Sequence, residues 1–280
     1  MNPSEIRQAL ATLGRGANKS LGQHFLIDRA TLRAVADAGH VTAGDVVVEI
    51  GPGLGVLTKE LLTRGATVIA IERDRGLAEY VRTAFASEAA EGRFRVLDQD
   101  AADGEWLAEV ATGPWKLISN LPYGITSLAL RLALWAPHPP THLSVLIQKE
   151  VAERIIDKEK TSLLSLMVGL ASRSTRFMRR VPPGAFFPPP RVDSAVLLAE
   201  ALSQEERQAR WGMAPERVMH WAKRGFAHPR KLLFSNLLLS PEEKASLVEA
   251  GYLGTVRAEE LSVEEWVDLA KRLEALEKTS

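Results

Sequence analysis

Residues 119–127 read SNLPYGITS and follow the short apolar run KLI, where a strand gives way to a loop. The loop offers an amide, a rigid backbone and an aromatic ring in the order Asn120-Leu121-Pro122-Tyr123. The Asn120 side-chain oxygen and the Leu121 carbonyl could accept both N–H bonds of an exocyclic amine. Such an amine on adenine is a poor nucleophile, because its lone pair is delocalised into the ring. Two acceptors would turn that lone pair out of the ring plane without a general base acting first. Pro122 fixes φ and limits the motion of the carbonyl before it, and the Tyr123 ring is a platform for an extruded base. This is chemistry by orientation and electrostatics.

Other residues indicate what the amine could attack. A strand runs straight into Glu49-Ile50-Gly51-Pro52-Gly53-Leu54-Gly55, a turn that lets a ligand approach the backbone closely. The dinucleotide fingerprint wants a further glycine where Val56 stands, and no Gly-Lys-Ser/Thr follows, so pyrophosphate binding and a P-loop are disfavoured. Glu72, in AIERD, ends the next strand about 20 residues past the loop, where a carboxylate accepts ribose hydroxyls. VLDQDAA ends a third strand with Asp98 and Asp100. Asp100, farther past the strand end, is the better acceptor for an adenine amine. The implied ligand carries adenine and ribose but no clustered phosphate. S-adenosylmethionine fits, its sulfonium activating a methyl group, and no metal is expected.

These residues need a sheet to bring them together. DVVVEI (45–50), ATVIAI (66–71), RFRVL (93–97), WKLIS (115–119) and HLSVLI (142–147) read as short strands separated by helical patterns. Among those patterns are RATLRAVADAG, capped by Asp28, and GVLTKELLTRG, ending at Gly65. The alternation predicts a mostly parallel sheet covered by helices on both faces. STRFMRRV and VDSAVLLAE, either side of PPGAFFPPP, supply two more strands as a paired return at the edge, giving seven. After Leu202 strand signals stop, and capping boxes at Ser240–Glu243 and Ser262–Glu265 mark helices. The expected domains are 1–202, an α/β unit with class I (Rossmann-like) methyltransferase character, and 203–280, small and all-helical.

The chain has 280 residues, 46% hydrophobic and 25% charged, with no cysteine, so disulfides and thiolate metal sites are excluded. The start lacks the apolar core of a signal peptide, and no run approaches membrane-spanning length. A cytoplasmic protein that does not engage membranes is expected, and a monomer. Formal charge is zero, from 35 basic and 35 acidic side chains, but its distribution is uneven. Residues 170–192 hold Arg173, Arg176, Arg179, Arg180 and Arg191 with no acid among them, and Lys223, Arg224, Arg230 and Lys231 cluster farther on. Local cation density is what phosphate binding needs.

With KSLGQHFLID (19–28), VVEIGPGLGVLT (47–58), IERD, SNLPYGITS, QKEVAERI (148–155), FFPPPRVDSAV (186–196) and PRKLLFSNL (229–237), the chain resembles the ribosomal RNA adenine dimethyltransferases nearly end to end. The bacterial small-subunit branch is the nearest. The resemblance implies methyl transfer from S-adenosylmethionine to two adjacent adenosines in a hairpin near the 3′ end of small-subunit ribosomal RNA. It places GQHFL over the cofactor, making His24 and Leu26 contacts beside Gly51, Glu72, Asp100 and Asn120. Phe186 matches a second aromatic near the other face of the target base. The partner implied is the small ribosomal subunit or its precursor, with phosphates held by the two basic stretches and the hairpin read as shape by the helical domain. Leu128 and Thr161-Ser162 depart from the family pattern, in loop geometry rather than chemistry. The large-subunit adenine methyltransferases of macrolide-type resistance are the nearest alternative, and the Leu of NLPY and the PRKLLFSNL tail speak against them. A non-catalytic nucleic-acid-binding factor would have no need of Gly51, Glu72, Asp100 and Asn120 together.

Overall fold

The computed structural model describes residues 1–14 and 24–277. The chain divides into two compact units, Met1–Ala152 with Ser174–Ala201, and Glu153–Arg173 with Leu202–Ser280. In chain order the strands are β1 (Phe25–Leu26), β2 (Val46–Ile50), β3 (Thr67–Glu72), β4 (Phe94–Asp98), β5 (Lys116–Asn120), β6 (His142–Gln148), β7 (Ser172–Val181), β8 (Phe186–Phe187) and β9 (Ser194–Ala201). The helices of the first unit are α1 (Pro3–Thr12), α2 (Arg29–Ala38), α3 (Val56–Thr63), α4 (Arg75–Ala84), α5 (Ala86–Ala90) and α6 (Thr126–Leu134), with α7 (Lys149–Ile156) leading out of it.

Seven strands form one sheet in the order β4-β3-β2-β5-β6-β9-β7, and β1 and β8 make a separate two-stranded ladder. The pairs among β4, β3, β2, β5 and β6 are all parallel, and β9 returns antiparallel to β6. All seven expected strands are present in this α/β sheet. The reason is the β-branched, doubly buried runs: Val47 and Val48 in β2, and Val68 through Ile71 in β3, are all but closed to solvent. Asp28 caps α2 as its composition suggests, accepting from the Thr31 amide. The main core joins α2 and α3 to the sheet through Leu32, Val35, Leu57, Leu61, Val68 and Ile118.

The N-terminal helix α1 lies outside the sequence expectations, though its signal was available. Asn2 and Glu5 form a reciprocal capping box around Pro3. Its buried face, Ile6, Ala9 and Leu10, packs with Phe25, Leu54 and Leu77. That cluster fixes the segment leading into α2 against the glycine loop.

In the second unit, α8 (Leu163–Ala171), α9 (Gln204–Trp211), α10 (Pro215–Gly225), α11 (Leu233–Leu237), α12 (Pro241–Glu249) and α13 (Val263–Glu277) pack as helices. Both anticipated capping boxes are formed, at Ser240–Glu243 and Ser262–Glu265. The unit also takes in residues 153–173, which a boundary drawn only at 202 leaves with the sheet. The cause is α8, apolar nearly all round, which puts Gly169 against Val263 of α13 and accepts the Trp211 indole N–H at the Leu170 carbonyl. Ser162 caps α8 and Thr161 donates to the Glu259 carbonyl, so this departure from the family pattern has a local structural use.

One buried charge site stands inside the sheet. Glu49 of β2 is 2% exposed and accepts the Thr58 hydroxyl of α3 at 2.6 Å. Burial pushes its carboxyl up to about 8 from 4.5, against the Thr58 hydrogen bond and with help from the nearby charge of Glu72. Between those values the folded state holds a proton that the unfolded state releases, so stability falls as pH rises through the window. Thermal melts from pH 5 to 9 should show the midpoint dropping with rising pH in the wild type, and a flatter profile in Glu49→Gln. Equal slopes in the two proteins would refute the assignment.

Candidate active site

The chain reverses its direction across the sheet between β2 and β5. The ladder between them carries only the pairs Val47↔Lys116 and Val48↔Leu117. Beyond it the buried Ser119 hydroxyl donates to the Ile50 carbonyl at 2.6 Å and keeps the strands joined. This is the topological switch point, where ligands bind outside the carboxyl ends of parallel strands. A cavity of about 560 Å³ opens there, and His24, Leu26, Gly51, Glu72, Asp100, Asn120, Leu121, Pro122 and Tyr123 all line it.

Gly51 and Gly53 of the first loop are favoured by conformation and by close neighbours. Gly51 and Gly53 have φ of +70° and +58°, where side chains are strained. A Cβ on Gly51 would lie 3.3 Å from Pro122 Cγ, and one on Gly53 would lie 3.1 Å from Phe25 Cε1. The glycine loop is thus gripped between the NLPY proline and the segment that follows the undescribed residues 15–23. Gly22 and Gln23 of the GQHFL motif lie among those, outside the described residues.

The cavity wall is acidic. Glu72 accepts the Gly53 amide at 3.3 Å and the Asp74 amide at 2.9 Å, and its burial raises its carboxyl. Asp100 caps a turn by accepting from the Ala102 amide at 3.0 Å, a bond that together with Arg73 holds its carboxyl low. Arg73 reaches Asp100 at 3.2 Å. With Glu49 and Asp74 also on the wall, carboxyl groups outnumber the guanidinium of Arg73 among the described lining residues. A cationic ligand is favoured over a phosphate one. Arg73 and Gln99, whose Oε1 is buried with no partner, are wall residues that the sequence reading did not single out.

The Asn120 amide has a forced orientation. Its Nδ2 donates to the His24 carbonyl at 3.3 Å, and a carbonyl can only accept, so Oδ1 is the atom left for another donor. Leu121 is 1% exposed and its amide donates to the Leu146 carbonyl at 3.1 Å, which fixes the backbone at the second acceptor. The Pro122 carbonyl receives the Ile125 amide at 3.1 Å as the loop turns into α6. Leu128 sits in the first turn of α6, where proline is also tolerated. The Tyr123 ring stacks with His24 at 5.9 Å between centroids, while His24 Nδ1 lies 2.8 Å from the Pro188 carbonyl.

Phe186, expected from the resemblance near a target base, is not among the residues that line the cavity. It pairs with Leu26 across the β1–β8 ladder and is buried in the main core, 2% exposed. Strand alternation sends Phe187 the other way, toward the α1 cluster and under the Arg7 guanidinium at 4.7 Å. The ring beside Tyr123 is His24.

The first basic stretch is less bare than its sequence suggests. Arg176 pairs with Glu200 at 2.9 Å, Arg180 with Asp193 at 2.6 Å, and Arg173 with Glu206. Acids absent from the local sequence arrive from neighbouring elements. Arg179 is exposed on β7. In the second unit Lys223, Arg230 and Lys231 are exposed, whereas Arg224 is half-buried, donating to the Leu237 carbonyl at 2.7 Å and lying over the Trp221 ring.

Residues 14–275 match the family model described as ribosomal RNA adenine dimethylase. A protein of Paracoccus denitrificans named ribosomal RNA small subunit methyltransferase A is 38% identical, over 96% of each chain. One of Dehalococcoides mccartyi with the same name is 37% identical over 90% of this chain and 87% of its own. Among solved structures, the 23S rRNA methyltransferase ErmE superposes with a TM-score of 0.68 at 26% identity, covering 89% of this chain and 99% of its own. A dimethyladenosine transferase from Plasmodium falciparum shares the fold at a TM-score of 0.64 and 21% identity, over 90% of each chain. On its family model, its relatives and its class I methyltransferase sheet, the chain belongs to the ribosomal RNA adenine dimethylase family.

Proposed function

We propose that this enzyme dimethylates the N6 amines of two adjacent adenosines in a hairpin near the 3′ end of small-subunit ribosomal RNA. The observation that carries the reading is the Asn120 amide, turned by the His24 carbonyl so that Oδ1 stands as an acceptor at the edge of an acid-walled cavity. The names of the bacterial relatives support the small subunit over the large one.

S-adenosylmethionine supplies an electrophilic methyl carbon on a sulfonium. Glu72 is suited to the ribose hydroxyls and Asp100 to the adenine amine. Gly51 admits the ligand to the backbone, while His24 and Leu26 add to the wall beside the glycine loop. Asn120 Oδ1 and the Leu121 carbonyl accept the target N–H bonds and aim the nitrogen lone pair at the methyl carbon. With the cofactor bound, its sulfonium would supply the methyl group to that nitrogen and leave as a neutral thioether, and the amine would then release its proton to water. Pro122 holds the acceptor carbonyl in place, and Tyr123 carries the base. Arg176, Arg179, Arg180, Lys223, Arg224, Arg230 and Lys231 are assigned to RNA phosphates, with Arg224 also holding the end of α11. The substrate particle is the small subunit or a precursor, met by a cytoplasmic monomer.

The deciding assay offers labelled S-adenosylmethionine with unmethylated small subunits, large subunits, naked RNA and DNA. Label should enter the small subunit first, and label entering DNA or large subunits first would overturn the substrate. Asn120→Ala should lower kcat by about 100- to 1,000-fold, the usual cost of removing one preorganised hydrogen-bonding group; retained activity would overturn the mechanism.

Binding of small subunits should weaken with salt. Arg230→Ala and Lys231→Ala should each reduce the log–log slope by about 1 while cofactor affinity, measured by calorimetry, stays unchanged. A salt-independent affinity would remove the phosphate role.

A further inference from the structure

Tyr123 is held at its far end by a residue to which the motif reading gives no role. Its hydroxyl lies 2.6 Å from Ser194 Oγ. Ser194 is the first residue of β9, 0% exposed, and is locked in register opposite Gln148 of β6. The ring is therefore fixed at two points, its tip by Ser194 and one face by His24 at 5.9 Å. His24 is itself anchored through Nδ1 to the Pro188 carbonyl.

A stacking platform needs only a π face, which phenylalanine would supply equally well. A phenol oxygen bonded to a rigid strand adds something else, a defined angle for the ring plane. The plane matters because a base stacked on it carries its N6 amine along with it. Rotation of the ring moves that nitrogen away from the acceptors at Asn120 and Leu121, and small misplacements of a reacting atom are costly.

We propose that Ser194 is a positioning residue for methyl transfer, setting the plane of the Tyr123 ring through the hydroxyl–hydroxyl bond. This rests on the reading of Tyr123 as the platform for the target adenine. It also gives a use to PPPRVDSAV, where adjacent residues at the start of β9 serve different partners: Ser194 supports the ring while Asp193 pairs with Arg180.

The test is a double-substitution cycle read by single-turnover transfer from labelled S-adenosylmethionine to unmethylated small subunits. Ser194→Ala and Tyr123→Phe should each slow transfer by about tenfold, the scale of a modest misorientation. The combined variant should be no slower than either alone, because both remove the same bond. Ser194→Thr, which keeps the hydroxyl, should restore most of the rate, and cofactor affinity should be unchanged throughout. Thermal melts of each variant separate lost rate from lost fold, and the combined variant leaves no orphaned hydroxyl. A wild-type rate in Ser194→Ala overturns the proposal, as does a combined loss equal to the product of the single losses. A wild-type enzyme that leaves small subunits unmethylated would instead overturn the function on which it rests.

Discussion

The hydrogen bond from Asn120 Nδ2 to the His24 carbonyl joins the two halves of the site. One end belongs to β5 at the switch point, and the other to the segment leading into α2. Without it the amide could present either atom to a substrate, and the amine acceptor would be present only part of the time. Much of the first unit serves to keep the two ends in place. The α1 cluster pins Phe25, Phe25 covers Gly53, and Pro122 packs on Gly51. Ser119 splices β5 to β2 where their ladder stops.

The electrostatics of the cavity follow from the same arrangement. Strand ends of a parallel sheet gather whatever polar residues terminate them, and here those are carboxylates. Four acidic side chains around one cavity would repel one another if all were ionised. Burial of Glu49 relieves this, because its carboxyl holds a proton up to about pH 8. The remaining negative charge suits a cofactor that carries a sulfonium and an ammonium.

The sheet was legible because its strands are short, β-branched and separated by capped helices, a local pattern that tertiary packing reinforces. That Gly51, Glu72, Asp100 and Asn120 share one cavity wall was legible for a related reason: each sits at or just past a strand end, and sheet topology brings strand ends together. Other features depend on contacts that sequence does not display. The phase of the β1–β8 ladder decides that Phe186 faces the core, and a two-residue strand offers no periodicity from which to read it. Ser194 looks like any small strand residue until β9 is placed beside β6. Glu200 and Asp193 neutralise arginines from which they are separated by 24 and 13 residues.

Those pairings have a consequence for how the protein lives among other polyanions. An arginine already engaged by a carboxylate exerts a weaker field at a distance than a bare one, so β7 does not advertise itself to every passing nucleic acid. Exposed pairs of this kind are worth at most about 1 kcal/mol, little enough for a well-placed phosphate to displace the acid. A diffuse or badly fitted phosphate gains less than it must break. The paired arginines of the edge strand are thereby open only to an anion that binds them better than the acid it displaces.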